Sequence, residues 1–239
     1  MAWPAESLHI KCNDDAATTV VVDSSVNATN GTLVGGDNTD AKSVVGKIND
    51  ALSLNGTDDY IDFGNILNLE GNYSLALWLK TADVGIIISK VASVAGSYWY
   101  AYANPSGKFN VRLDGSTADA DAASTASING DVFNHLVFTW DGTTLRLYVN
   151  NTADGTSAPG AALGTVSNAG GLFVARWNPA DSGGLYLTGT WDDIRIYKGS
   201  VLDTDMISAL YNSGNGTEAT LASLEPSGFT PRLTLLGVG

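Results

Sequence analysis

The feature that most constrains this chain is the recurrence of short apolar or alternating runs punctuated by Asx-Gly dipeptides. The runs are Leu8 to Ile10, Val20 to Val22, Tyr60 to Phe63, Ser74 to Leu79, Ile86 to Ile88 and Tyr98 to Tyr102. They continue with Phe109 to Leu113, Val132 to Trp140, Leu145 to Val149, Leu172 to Ala175 and Ile194 to Tyr197. Between them stand Asn30-Gly31, Asn55-Gly56, Asp114-Gly115, Asn129-Gly130, Asp141-Gly142 and Asp154-Gly155. Such dipeptides adopt the positive φ that tight hairpins need, so the pattern predicts an all-β protein, a two-sheet antiparallel sandwich or jelly roll.

One stretch reads as a helix, Thr204 to Asn212, with Asp203 placed to cap the first turn and Gly214 after the last. Its apolar side carries Met206, Ile207, Leu210 and Tyr211. Ser116 to Ser127, rich in Ala, Ser, Thr and Asp, reads as a surface loop holding at most one short strand. With 239 residues, 27 glycines and only 15% charged residues, one sandwich accounts for the chain, and no linker divides it.

The formal net charge of −13 repels polyanions, so nucleic acid and acidic membranes are poor partners while neutral glycans and divalent cations stay open, and simple solubility is the plainer reading of the acidic balance. Cys12 stands alone, which rules out an intramolecular disulfide and points to a structural thiol. No apolar run approaches the roughly 20 residues of a spanning helix, so no membrane insertion is expected. Met1 to Glu6 shows no signal peptide; either the chain is made without export or a leader has been removed.

Three blocks resemble the laminin G-like, concanavalin A-like lectin and glucanase superfamily. The first is Gly46-Lys47 with Ala51-Leu52-Ser53-Leu54-Asn55-Gly56-Thr57-Asp58-Asp59-Tyr60-Ile61. The second is Asn134-His135-Leu136-Val137-Phe138-Thr139-Trp140-Asp141-Gly142 with Leu145 to Asn150. The third is Gly189-Thr190-Trp191-Asp192-Asp193-Ile194-Arg195-Ile196-Tyr197, with Leu202 beyond. Trp191, where the family has Ile, is the departure that changes volume most. The resemblance implies a jelly-roll domain over residues 1–216, leaving 217–239 as an extension. In that extension the apolar segment Leu233 to Val238 is either a last strand of the same sandwich or a strand added to a neighbouring subunit.

The resemblance also implies a structural Ca2+ ion between the first and last strands, with Asp14 and Asp15 after the first and Asp192 opening the last. The bland alternative is an Asx turn at Asp14 and Asp15, with Asp192 merely beginning a strand. For a ligand, aromatic faces stack on sugar rings while polar neighbours hold hydroxyls. With Ala103 opposite Lys108, Tyr100 and Tyr102 face the core. Trp99 then pairs with Arg112 on the exposed face as the first-choice contact, and Trp177 is the second. A slip of one residue reverses that assignment.

No catalytic pattern is present: the four glutamates Glu6, Glu70, Glu218 and Glu225 do not form the paired-acid spacing of a glucanase strand. His135 reads as structural, and His9 lies in the first strand. The expected function is a non-catalytic carbohydrate-binding or adhesion module for a glycan or cell-surface polysaccharide, acting outside the cell. The alternative is a virion surface protein, such as a capsid decoration or fibre subunit, that oligomerises through its C-terminal tail. A glycan-cleaving enzyme is the weakest reading.

Overall fold

A computed structural model describes residues 2–68, 70–91, 97–164, 169–178 and 185–226. Its first strands are β1 Leu8–Ile10, β2 Val20–Val21, β3 Gly31–Val34, β4 Ser43–Val45, β5 Asp50–Asn55, β6 Tyr60–Asp62, β7 Tyr73–Thr81 and β8 Gly85–Val91. They are followed by β9 Tyr98–Ala103, β10 Lys108–Asp114, β11 Asp119–Ser127, β12 Gly130–Trp140, β13 Leu145–Val149, β14 Thr152–Ser157, β15 Gly171–Val174 and β16 Thr188–Lys198. A single turn of helix, α1 Thr39–Lys42, bridges the sheets, and α2 is Thr204–Tyr211.

The strands form two antiparallel sheets. Sheet A has the order β14-β13-β12-β7-β16-β5-β4, with β1 also on β16, and sheet B has β11-β10-β9-β8-β15-β6-β3-β2. The alternation read from the sequence turns one face of each sheet inward, where Leu75, Leu77, Leu136, Phe138, Trp99, Val111 and Ile196 share one buried core. Trp191 is also enclosed there; its indole N–H donates to the Ile87 carbonyl at 3.3 Å, joining the two sheets.

Sheet A buries part of its outer face too. Ala76, Val137, Tyr148 and Tyr197 pack beneath Leu202, Ile207, Leu210 and Leu221 from α2 and the chain that follows it. Asp203 caps α2 as expected, its Oδ1 accepting the N–H groups of Asp205 and Met206. Residues 217–221 are tied down by Arg195. This buried guanidinium donates to the Ala219 and Thr217 carbonyls and pairs with Asp193 and Glu6, while Glu6 accepts the Leu221 N–H at 2.7 Å. The apolar segment Leu233 to Val238 lies outside the described residues.

Two readings of local structure change. Ser116 to Ser127 contains a nine-residue strand, β11, whose small Ala120, Ala122 and Ser124 point inward. Small residues belong there because β11 closes the sandwich rim against β14. Asp154 accepts the N–H groups of Thr125 (2.9 Å) and Ala126 (2.8 Å) and the Thr125 hydroxyl. Asp154-Gly155 is therefore no turn. At φ +149 Gly155 sits within β14, where a Cβ would lie 2.7 Å from the Ala123 carbonyl oxygen.

Candidate functional site

The outer face of sheet B at β9 and β10 is set by one register. Phe109 lies opposite Ala103, Val111 opposite Ala101, Arg112 opposite Tyr100, and Asp114 opposite Tyr98. This corrects the expected pairing by one residue. The Asn104 N–H donates to the Lys108 carbonyl at 3.0 Å, Asn104 Oδ1 accepts the N–H groups of Ser106 and Lys108, and Gly107 takes φ +69, so Pro105, Ser106 and Gly107 form a three-residue loop where Ala103 opposite Lys108 would leave four. Trp99 consequently turns inward, wholly buried and edge-on to Phe138, and is removed from the ligand contacts.

The slip brings Tyr98, Tyr100 and Tyr102 outward as a row of half-buried rings, with centroid steps of 6.0 and 5.3 Å. Trp177, also half-buried, stands perpendicular to them, its ring 5.3 Å from Tyr98 and 4.9 Å from Tyr100. Arg112 lies beside Tyr100 and is gripped by Asp114 (3.0 Å), Asp119 (2.6 Å) and Asp121 (3.6 Å). Of the expected ligand residues, Arg112 and Trp177 thus meet on one face. The tyrosines were missed, although three hydroxyls alternating with Trp99, Ala101 and Ala103 were the available signal.

β10 pairs with β11, placing Asp121 opposite Arg112 and Asp119 opposite Asp114. Two strand spacings of about 4.8 Å therefore separate the ring row from the outer carboxylates. Burial pushes the Tyr100 phenol up to about 12, with Tyr102 adding to it, and raises Tyr98 and Tyr102 beside Asp114 and Asp121. The hydroxyls therefore remain neutral donors and acceptors. For Arg112, burial alone would lower the pKa, but Asp114 and Asp119 outweigh it and raise it. The arrangement offers flat apolar rings bordered by hydroxyls, a guanidinium and carboxylates, which suits a ring-shaped polyhydroxylated ligand.

A second arrangement lies where β16 changes partners. β5 pairs with Thr188 to Trp191 and β1 with Ile194 to Ile196, end to end along one side of β16. Between them a bulge leaves Asp193 at φ +48. Asp192 therefore lies in the middle of the last strand rather than opening it. Its Oδ2 accepts the Lys47 and Ile48 N–H groups at 2.7 and 2.8 Å, while its Oδ1 is buried without a partner. Burial pushes this carboxyl up to about 7, the Ile48 N–H opposing and Asp193 reinforcing the shift.

The expected carboxylate set does not assemble there. Asp15 is exposed, Asp14 accepts the Val22 N–H at 3.1 Å, and among the described residues no three His, Cys, Asp or Glu side chains gather to hold a metal. Asp192 Oδ1 and Asn13 Oδ1 are each buried without a partner, and both are oxygens of the kind a hard cation takes. Asn13 and Asn49 both donate to Glu218 Oε1, at 2.6 and 2.7 Å. Cys12 nearby is buried, and its thiol is pushed well up by that burial and then by Asp192.

His135 is enclosed between Trp78 (4.9 Å) and Tyr211 (5.9 Å), and burial lowers its pKa to about 4. His9 Nε2 meets Asp193 at 2.8 Å.

A family model described as the concanavalin A-like lectin/glucanases superfamily matches residues 55–208. The chain belongs to this superfamily. Among solved structures, the binding domain of Paraclostridial Mosquitocidal Protein 1 is 14% identical with a TM-score of 0.69, over 88% of this chain and 52% of that one. Domain 4 of AbnA, an extracellular arabinanase from Geobacillus stearothermophilus solved with arabinotriose, is 20% identical with a TM-score of 0.66. That match covers 90% of this chain and all of that domain, 100%. The botulinum neurotoxin serotype G binding domain is 17% identical with a TM-score of 0.63, covering 86% and 50%. The chain thus spans about half the length of the toxin binding domains and the whole of the arabinanase domain. At these identities the likeness shows the jelly-roll fold. No curated protein sequence matches the chain.

Proposed function

We propose that this chain is a non-catalytic carbohydrate-binding or adhesion module whose glycan lies across Tyr98, Tyr100 and Tyr102, against the edge of Trp177. The observation that carries this reading is the ring row itself: an outward file of aromatic side chains flanked by Arg112 and three carboxylates. Support comes from two similar structures, a domain solved with arabinotriose and a botulinum neurotoxin type C whose cell entry depends on two ganglioside molecules. No glutamate serves this face. Glu6 is held by Arg195, Glu218 by Asn13 and Asn49, and Glu225 by the Trp3 N–H, while Glu70 is exposed in a loop.

Such a module acts at a cell or virion surface, outside the cell. A structural Ca2+ ion belongs to the same proposal, with Asp192 and Asn13 supplying two oxygens and carbonyls and water the rest. Tyr100→Ala and Trp177→Ala test the glycan reading. Each is expected to weaken sugar binding roughly tenfold by removing a stacking face, with the melting temperature little changed. Binding untouched by both substitutions refutes the assignment.

A further inference from the structure

We infer that this face selects neutral or amino sugars and rejects acidic ones. The inference rests on the glycan reading above and adds the chemical class of the ligand. Three carboxylates surround one guanidinium beside the rings, an excess of two negative charges in that cluster, while Lys108, four residues earlier on β10, donates its ammonium to the Thr125 carbonyl. Arg112, opposite Tyr100, is the basic group placed beside the rings that would otherwise hold a uronate or sialate. Its Nη2 already meets Asp114 and Asp119, and its Nη1 faces Asp121. To bind a sugar carboxylate it would have to give up these partners and bring a fourth negative charge among them.

The same carboxylates accept hydrogen bonds, and the neutral phenols of Tyr98, Tyr100 and Tyr102 both donate and accept. A neutral sugar lying on the rings can direct its hydroxyls toward Asp119 and Asp121, the more exposed of the three acids, without breaking an ion pair. An ammonium-bearing sugar gains further from the residual charge. The field of the whole chain, at −13, acts in the same direction.

The test is titration of the full chain with matched oligosaccharide pairs: galactose oligomers against galacturonate oligomers, lactose against sialyllactose, and chitin oligomers against chitosan oligomers. In the first two pairs the neutral member is expected to bind at least about tenfold more tightly than its acidic counterpart at low salt, and chitosan more tightly than chitin, with both gaps narrowing at 0.5 M salt where exposed charges are screened. D119N and D121N together should close most of it, and both positions are exposed enough for the fold to survive. Acidic sugars binding as well as neutral ones overturns the selectivity while leaving the glycan site standing. A gap indifferent to salt and to the double substitution overturns the charge argument. Failure of every sugar in the panel to bind removes the glycan reading itself.

Discussion

Replacing Asp192 by Asn is expected to stabilise the cation-free protein at pH 8 and to destabilise it at pH 4. The unfolded carboxyl loses its proton near the ordinary 3.8 and the folded one near 7, so between those values the folded chain keeps the extra proton and stability falls as pH rises. Above about pH 7 the ionised form then costs on the order of 4 kcal/mol, and below 3.8 it costs nothing. Asparagine keeps an oxygen for the Lys47 and Ile48 N–H groups and carries no charge. Its amide, standing where Oδ1 has no partner, takes back about 1–3 kcal/mol. The net gain at pH 8 is about 1–3 kcal/mol, a rise of roughly 3–10 °C in melting temperature for a domain of this size.

The assay is thermal unfolding of both proteins in chelator at pH 4 and pH 8, compared as a difference because His135 slopes the other way. Its folded pKa of about 4 lies below the ordinary 6.5, so its stabilisation is whole above 6.5 and is lost as pH falls toward 4. Adding Ca2+ at pH 8 should raise the natural chain and leave the variant unmoved. A variant less stable than the natural chain in chelator at both pH values refutes the burial argument, and a natural chain indifferent to Ca2+ refutes the cation.

Two further outcomes follow from the register and from the chain after α2. Trp99→Ala should cost about 3–5 kcal/mol, because the indole fills the core rather than the ligand face; chemical denaturation reads this, and a surface-like loss under 1 kcal/mol would return Trp99 to the exposed side. Truncation after Pro226 should leave a folded domain. Truncation after Gly216 removes Leu221 and the two carbonyls on Arg195, and it should lower the melting temperature by at least about 5 °C. If residues 227–239 join subunits, the longer truncation product sediments as a smaller species than the full chain; unchanged sedimentation removes the assembly role.

Most strands other than β11 and β14, the capped helix and the buried thiol were legible because each rests on local chemistry: alternation, an Asp at the N-cap, a lone small apolar side chain. The ligand face was not, because aromatic residues fill both sides of β9 and hydrophobicity alone does not choose between them. Pairing was decided by Asn104 and Gly107, which set the loop length and so turned Trp99 in and Tyr100 out. Asp154-Gly155 misled for a related reason: its glycine permits close approach of a neighbouring strand, a need that arises only once β11 lies against β14. The enclosure of Asp192 follows from the change of partner along β16, which no run of residues announces.

Glu6 and Leu221 share one hydrogen bond, and the Trp3 N–H reaches Glu225 at 3.4 Å, so the described beginning and end of the chain leave the molecule side by side over sheet A. Adjacent ends make a domain easy to insert into a loop of another protein, since the host need open only a narrow gap to receive it. The tyrosine row faces outward from the opposite sheet. A host protein joined ahead of Trp3 would therefore meet the sandwich on the side of sheet A, with the ring face turned away from it on sheet B.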